Sequence, residues 1–276
     1  MPVTANRKTH GMTIRVGRRT LSFTMIDDEG EVVYEPYVVK SGMSMAANMR
    51  EAFKTQSFLS LLPEKVRVMI DTDVLMMPVD LFDERQKELL YTHAFPECAH
   101  DYIAYNVLPS LNAVALFSVN KDLKLVIDDR FGDAQFIMAV APVWRHLHAR
   151  SYTGNNQKLF GYIHENRLDV FSFQQNRFKF CNTYDVKHVR DAVYYLLFVW
   201  NQLQLNPLKD ELHLVGDLLQ NDQAVLQQDR DLLLGELKRF LQKVYVINPS
   251  ADFNRAPITE IKNIPYDLQT LFVKGR

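Results

Sequence analysis

Three apolar residues in the first forty positions return, type for type, at one fixed spacing: Leu21, Tyr37 and Val39 are met by Leu168, Tyr184 and Val186, each 147 positions later. The surrounding segments repeat too. Residues 12–70 read as three strands, a helix and a strand, and residues 159–217 read in the same order. A duplicated β-β-β-α-β unit predicts two similar α/β lobes with a cleft, and a cleft of that kind is where such a chain holds whatever it binds.

In the first copy, Thr13–Val16 and Leu21–Ile26 alternate apolar and polar residues, Asp27-Asp28-Glu29-Gly30 supplies a turn, and Val32–Val39 returns as a third strand. Ser44 is placed to cap a helix carrying Met45, Met49, Phe53, Phe58 and Leu61, which Pro63 ends before the strand Lys65–Ile70. The second copy gives strands at Leu159–Ile163, Leu168–Phe173 and Phe178–Tyr184, a very apolar helix over 189–205 and a strand at Glu211–Val215. A helix over 218–241 and a strand over 244–248 complete it. Between the copies, roughly 71–133 has no counterpart and reads as a small α+β insertion, with strands near 75–79, 102–107 and 113–119 and helices over 83–94 and 121–131. The expected organisation is a first lobe over 1–150 containing the insertion at about 71–133, and a second lobe over 151–276. No Gly/Ser-rich or Pro-rich linker separates them, so the lobes are expected to pack rather than to be tethered.

Composition narrows the partners. Thirty-two Lys and Arg against 33 Asp and Glu leave a formal net charge of −1, so no overall field draws the chain to nucleic acid or to anionic lipid. The apolar runs at 192–200 and 136–141 are too short to cross a bilayer, and the first ten residues lack the apolar core of a secretion signal. A cytoplasmic protein is expected, its two cysteines, Cys98 and Cys181, reduced and neither in a CxxC pair.

The run Val66–Ile70, Met76-Met77-Pro78-Val79, Glu84, Glu88, Tyr102, Val114–Val119, Ala134 and Pro142 follows an order of strand, Pro-containing strand, helix, strand, strand and helix. Together with the duplication it resembles the actin-like ATPase superfamily, most of all the pilus assembly protein PilM, and it is similar to an uncharacterised bacterial family with an actin-like fold. The resemblance implies an α/β fold of duplicated RNase H-like lobes with a small inserted α+β subdomain in the first.

The resemblance also implies where chemistry would sit. Each lobe of the superfamily opens with Asp-x-Gly in the turn between its first two strands, glycine letting backbone N–H groups approach the phosphates and the carboxylate holding magnesium or its waters. Here the first turn reads Arg15-Val16-Gly17-Arg18-Arg19, with no acid. The second reads Gly161-Tyr162-Ile163-His164-Glu165-Asn166, its glycine inside the strand and bulky residues at the turn. The Gly-Gly pair that contacts adenosine in the superfamily corresponds to Gly216-Asp217, with one glycine. The residues marking this degenerate nucleotide cleft are Arg15, Gly17, Arg18, Gly161, His164, Asn166, Gly216 and Asp217. Arg18 and Arg19 could meet an anion directly, or be exposed hairpin arginines.

Other constellations are thinner. His93, Cys98 and His100 have soft-metal ligand types without a fourth ligand at tetrahedral spacing. Asp128-Asp129 puts adjacent carboxylates on diverging directions, Asp71-Thr72-Asp73 after its strand reads as a solvated loop, and His146 and His148 straddle Leu147 on different faces. No nucleophile elbow or Cys–His partnership is evident. The helix around Tyr194–Trp200 is apolar nearly all round and reads as a central buried helix, or as one lining a peptide groove; Met69, Met76 and Met77 read as core filling.

With the metal-holding acids gone from the phosphate turns, the expectation is a non-catalytic pseudo-ATPase without a cofactor, acting as an adaptor for another protein or peptide through its cleft or its inserted subdomain. The alternatives are an ATPase or kinase using ATP with magnesium through unconventional contacts at Gly17, Arg18, Arg19 and Gly216, and a small-ligand sensor.

Overall fold

A computed structural model of the chain describes residues 9–27, 31–56, 59, 63–216 and 224–273. They fall into two units, Met1–Ala141 and Pro142–Arg276. Residues 28–30 of the expected turn Asp27–Gly30 and the helix positions Phe58 and Leu61 lie outside the described residues, as does Asp217.

In the first unit, β1 (Thr9–Val16), β2 (Leu21–Asp27) and β3 (Val32–Tyr37) form an antiparallel meander, and β4 (Val66–Ile70) and β8 (Ala134–Met138) add in parallel, giving the order β3-β2-β1-β4-β8. The central β1 is buried on both faces, Met12, Ile14 and Val16 alternating with the equally buried Thr13 and Arg15. Parallel neighbours and double-sided cover go together in α/β sheets. Helix α1 (Met45–Thr55) starts at Ser44, whose hydroxyl accepts from the Ala47 amide, as its sequence context predicts. It stops eight residues before Pro63 because Gln56 turns extended, so the longer expected helix is corrected to one of three turns. The loop into it is fixed by the fully buried Asn48. Its side-chain oxygen accepts from the Lys40 amide (2.8 Å), and its NH2 group donates to the carbonyls of Met43 and Ser44 (3.3 and 3.1 Å).

After β4 the chain forms β5 (Val74–Pro78), α2 (Lys87–Ala94), β6 (Tyr102–Leu108) and β7 (Ala113–Val119), a separate three-stranded sheet in the order β5-β7-β6. Tyr91 of α2 is fully buried against Ile103 and Leu116, with Met77 and Phe95 alongside. Its hydroxyl donates to the Asp73 carbonyl (2.7 Å), and burial pushes its pKa up to about 12. Then α3 (Lys121–Phe131) packs back on α1, Phe53 meeting Phe131 edge to face at 5.4 Å. That helix leads into β8 and so belongs to the repeated unit, which confines the stretch with no counterpart to 71–120.

The second unit begins at the second residue of α4 (Ala141–Ser151) and continues with β9 (Lys158–His164), β10 (Arg167–Gln174), β11 (Arg177–Asp185), α5 (Val189–Gln202), β12 (Glu211–Gly216), α6 (Ala224–Lys238), β13 (Val244–Val246), α7 (Pro249–Asp252) and α8 (Tyr266–Phe272). Its sheet order, β11-β10-β9-β12-β13, is that of the first unit element for element. The repeat reaches the level of register. Leu21 faces Tyr37 across β2–β3, and Leu168 faces Tyr184 across β10–β11; Val16 faces Leu21 and Ile70, and Ile163 faces Leu168 and Gly216. One core of this unit packs Leu196, Val199 and Trp200 of α5 and Leu233 and Leu237 of α6 with Leu159, Leu168 and Leu214. Only part of α5 is inside. Tyr194 is 61% exposed and Phe198 44%, because the helix presents one flank to the sheet, another to α6 and a third to solvent; the central-helix expectation is corrected accordingly.

Candidate functional site

The β1–β2 hairpin of the first unit holds Arg15, Gly17 and Arg18. Gly17 closes the turn by donating its amide to the Thr20 carbonyl (2.9 Å). Arg15, the first residue of the turn run and part of the expected strand Thr13–Val16, lies within β1 and is 1% exposed, its guanidinium donating to Thr20 Oγ1 at 3.0 Å. Arg18 is at the surface, 3.9 Å from the Asp73 carboxylate. No carboxylate stands in the turn itself.

In the second unit, Glu165 and Asn166 form the two-residue β9–β10 turn, both with positive φ (41° and 63°), as a type I′ hairpin requires. The bulky turn read from the sequence is therefore real. The two candidate glycines serve the fold. A Cβ on Gly161 would stand 2.9 Å from Leu214 and 3.1 Å from Leu196, so that position lets α5 settle on the sheet. Gly216 has φ 129°, and a Cβ there would fall 1.9 Å from the Ile163 carbonyl oxygen; glycine is needed for the backbone to pass its own neighbouring strand.

His164 and Asn166 do come together. They line a cavity of about 790 Å³ with Ile163, Lys187, His188, Arg190 and Asp191 of the β11–α5 junction, and Asp229 and Leu232 of α6. The volume is that of a small-molecule pocket. Its helix end is closed by the chain itself: the Asp191 carboxylate accepts from the amides of Lys187 (3.0 Å) and His188 (2.9 Å). Those bonds, the His188 amide foremost, hold the Asp191 carboxyl below its usual range. Amide donors that could meet an incoming anion thus already serve an internal one. His164 is turned toward Asp169, with Nε2 2.8 Å from Oδ2, and stacks on Tyr162 at 4.3 Å.

A second site, not found in the sequence, lies within the first unit. β6 ends the inserted sheet and β8 ends the five-stranded sheet, and a side chain of β6 bridges the two terminal strands. Asn106 donates to the Phe136 carbonyl (3.2 Å) and accepts from the Met138 amide (3.0 Å), imitating a strand partner. Beside it the strands part around a groove of about 350 Å³. Tyr102, Ala104 and Tyr105 come from β6, Ala134 and Phe136 from β8, and Lys124 and Asp128 from α3, with Glu84, Lys87 and Asp133 at the rim. Lys124 Nζ lies 4.9 Å from the centre of the Tyr102 ring and 5.4 Å from that of Phe136; Lys87 Nζ lies 5.5 Å from Tyr105. The signal in the sequence was only a polar Asn within an apolar strand.

The weaker constellations find structural employment. Among the described residues no group of three His, Cys, Asp or Glu could hold a metal ion. Cys98 lies 3.6 Å from the Ser118 hydroxyl, which is 3.1 Å from Thr72 Oγ1, and burial raises the Cys98 thiol pKa. His146 pairs with Asp252 while His148 contacts the Gln175 carbonyl and the Tyr152 hydroxyl, so the two do face apart. No described helix is long and apolar enough to cross a membrane.

A model of one protein family, described as Protein of unknown function (DUF3822), matches residues 3–233. A crystal structure of a Bacteroides thetaiotaomicron protein with actin-like ATPase fold and unknown function is 26% identical and superposes with a TM-score of 0.82, over 100% of this chain and 99% of that one. PilM of the PilM-PilN type IV pilus biogenesis complex is 11% identical, with a TM-score of 0.53 over 96% of this chain and 97% of that one. No curated protein matches the sequence. The fold is that of the actin-like ATPases, duplicated RNase H-like units, as the sequence resemblance implied.

Proposed function

The chain belongs to the DUF3822 family, and from that membership and the two sites above we propose that it is a non-catalytic, actin-like scaffold of the cytoplasm that holds an extended segment of another protein in the groove between β6 and β8. The observation that carries this reading is the meeting of two terminal strands over an opening that the Asn106 side chain bridges. An extended peptide laid beside such edges gains main-chain hydrogen bonds, and pockets between them take alternate side chains. The PilM-PilN complex, on the same fold, supports a protein as the partner. The pseudo-ATPase half of the proposal rests on the hairpin turns: Arg15, Gly17 and Arg18 bring no acid, Glu165 and Asn166 stand where glycine would open backbone donors, and Asp191 occupies the amides of Lys187 and His188 that lead into α5. That donor set does not suit a magnesium triphosphate.

The test is photocrosslinking from a benzophenone amino acid at position 105 in native lysate, with one at position 194 as the control. Repeated recovery of one extended segment from position 105 alone supports the scaffold; equal labelling from both positions removes it. A small-ligand reading is favoured by the 790 Å³ cavity of the second unit. ATP with magnesium at a hundred times its Kd would add about 2.7 kcal/mol of stability, so a thermal shift at millimolar nucleotide would decide for the separate alternative, an ATPase or kinase with unconventional phosphate contacts.

A further inference from the structure

Resting on the groove reading, we infer that the segment held between β6 and β8 presents a basic side chain, arginine above all, to the rings of Tyr102 and Phe136. The groove's own lysines show what its aromatic surfaces accept. Tyr102 lies within 4.9 Å of the Lys124 ammonium and 5.8 Å of that of Lys87, and Phe136 takes the same Lys124 at 5.4 Å. Tyr102 still keeps 38% of its surface exposed, leaving ring for a cation from outside.

The charges point the same way. Glu84, Asp128 and Asp133 line the groove against Lys87 and Lys124. Both lysines are already paired, Lys124 with Asp128 at 2.5 Å and Lys87 with Glu84 at 3.6 Å and Glu88 at 3.9 Å. Asp133 is exposed and has no ion-pair partner among the described residues. An arriving carboxylate would have to strip a lysine from its acid and would sit beside Asp133. An arriving guanidinium meets an open carboxylate and aromatic rings that line the same groove, and its planar fork suits both. Complementarity of this kind sets which partner is accepted and in which register.

The experiment is selection of a display library of randomised nine-residue segments on the full chain. Enriched segments are then synthesised and measured against wild type, Asp133→Lys and Tyr102→Ala. Both substitutions are at exposed side chains, and thermal melts confirm folding. Arginine is expected at one fixed position of the enriched segments. Asp133→Lys should weaken them at least tenfold, and exchanging that arginine for glutamate should restore binding to the Asp133→Lys chain. If enriched segments need Tyr102 but carry no basic position, or carry an acidic one, the inference falls and the groove reading stands. If nothing is enriched, or Tyr102→Ala changes no affinity, both fall.

Discussion

His164 Nε2 stands 2.8 Å from Asp169 Oδ2 within the β9–β10 hairpin, with both side chains almost wholly buried and the second carboxylate oxygen accepting from the Thr183 hydroxyl. A buried carboxylate serving two donors is costly to lose, because each donor then stays in the interior short of an acceptor. Asp169→Ala is expected to cost about 2–4 kcal/mol of unfolding free energy in urea titration. A loss below about 0.5 kcal/mol would mean that the pair contributes nothing net.

A second prediction concerns acid. Burial, the largest influence, lowers the His213 pKa from 6.5, against the neighbouring Glu211 that favours the charged ring. Folding therefore disfavours protonation of His213, and stability is lost as pH falls through 6.5 toward the lower folded value. Glu211 adds a later loss. Burial alone would raise it, but Asn156, His213 and Lys158 prevail and bring it below 4.5, so its share is lost as pH falls from 4.5 through the lower folded value. The melting temperature should drop between pH 7 and 5, and His213→Phe, which keeps the ring contacts to Phe160 and Tyr245, should flatten that interval. An unchanged slope in the variant would contradict the assignment.

Asn106 gives a third. Replacing it by alanine removes the bond from the Met138 amide and should cost about 1–3 kcal/mol. In hydrogen exchange, the Met138 amide should lose protection while amides of the central β1 keep theirs. Equal loss in both would point to global unfolding instead.

The β9–β10 turn gives a fourth. Glu165 adopts a left-handed conformation that glutamate disfavours, and Asn-Gly is the preferred pair for this turn. The double change Glu165→Asn, Asn166→Gly is expected to stabilise the chain by about 0.5–1.5 kcal/mol in thermal melts. Destabilisation would show that the Glu165 side chain matters more than its backbone strain.

How far the sequence could be read follows from the kind of interaction concerned. Leu21, Tyr37, Leu168 and Tyr184 were informative because register couples alternation to position, so a conserved spacing translates directly into facing pairs. Ser44 was legible as a cap for the same local reason. Arg15 was not, since nothing nearby in sequence reports that both faces of β1 are covered. Gly161 and Gly216 were visible as glycines but not as packing and backbone-passage positions, because the atoms that demand them, on Leu196, Leu214 and Ile163, belong to other elements or to the neighbouring strand. The groove escaped entirely: Asn106 and Phe136 are thirty positions apart, and Tyr102 meets Lys124 only through the tertiary fold.

The preserved frame of the meander has a consequence for how this chain can vary. Within a ladder of this meander a one-residue insertion turns the later side chains of that strand to the other face unless a bulge absorbs it, as the irregularity between Ser172 and Phe173 does in β10–β11, so large changes in length belong outside the five-stranded sheets. The tract between β4 and α3 is such a place, and it is there that the first copy grew a sheet of its own, and with it a surface its sister lacks.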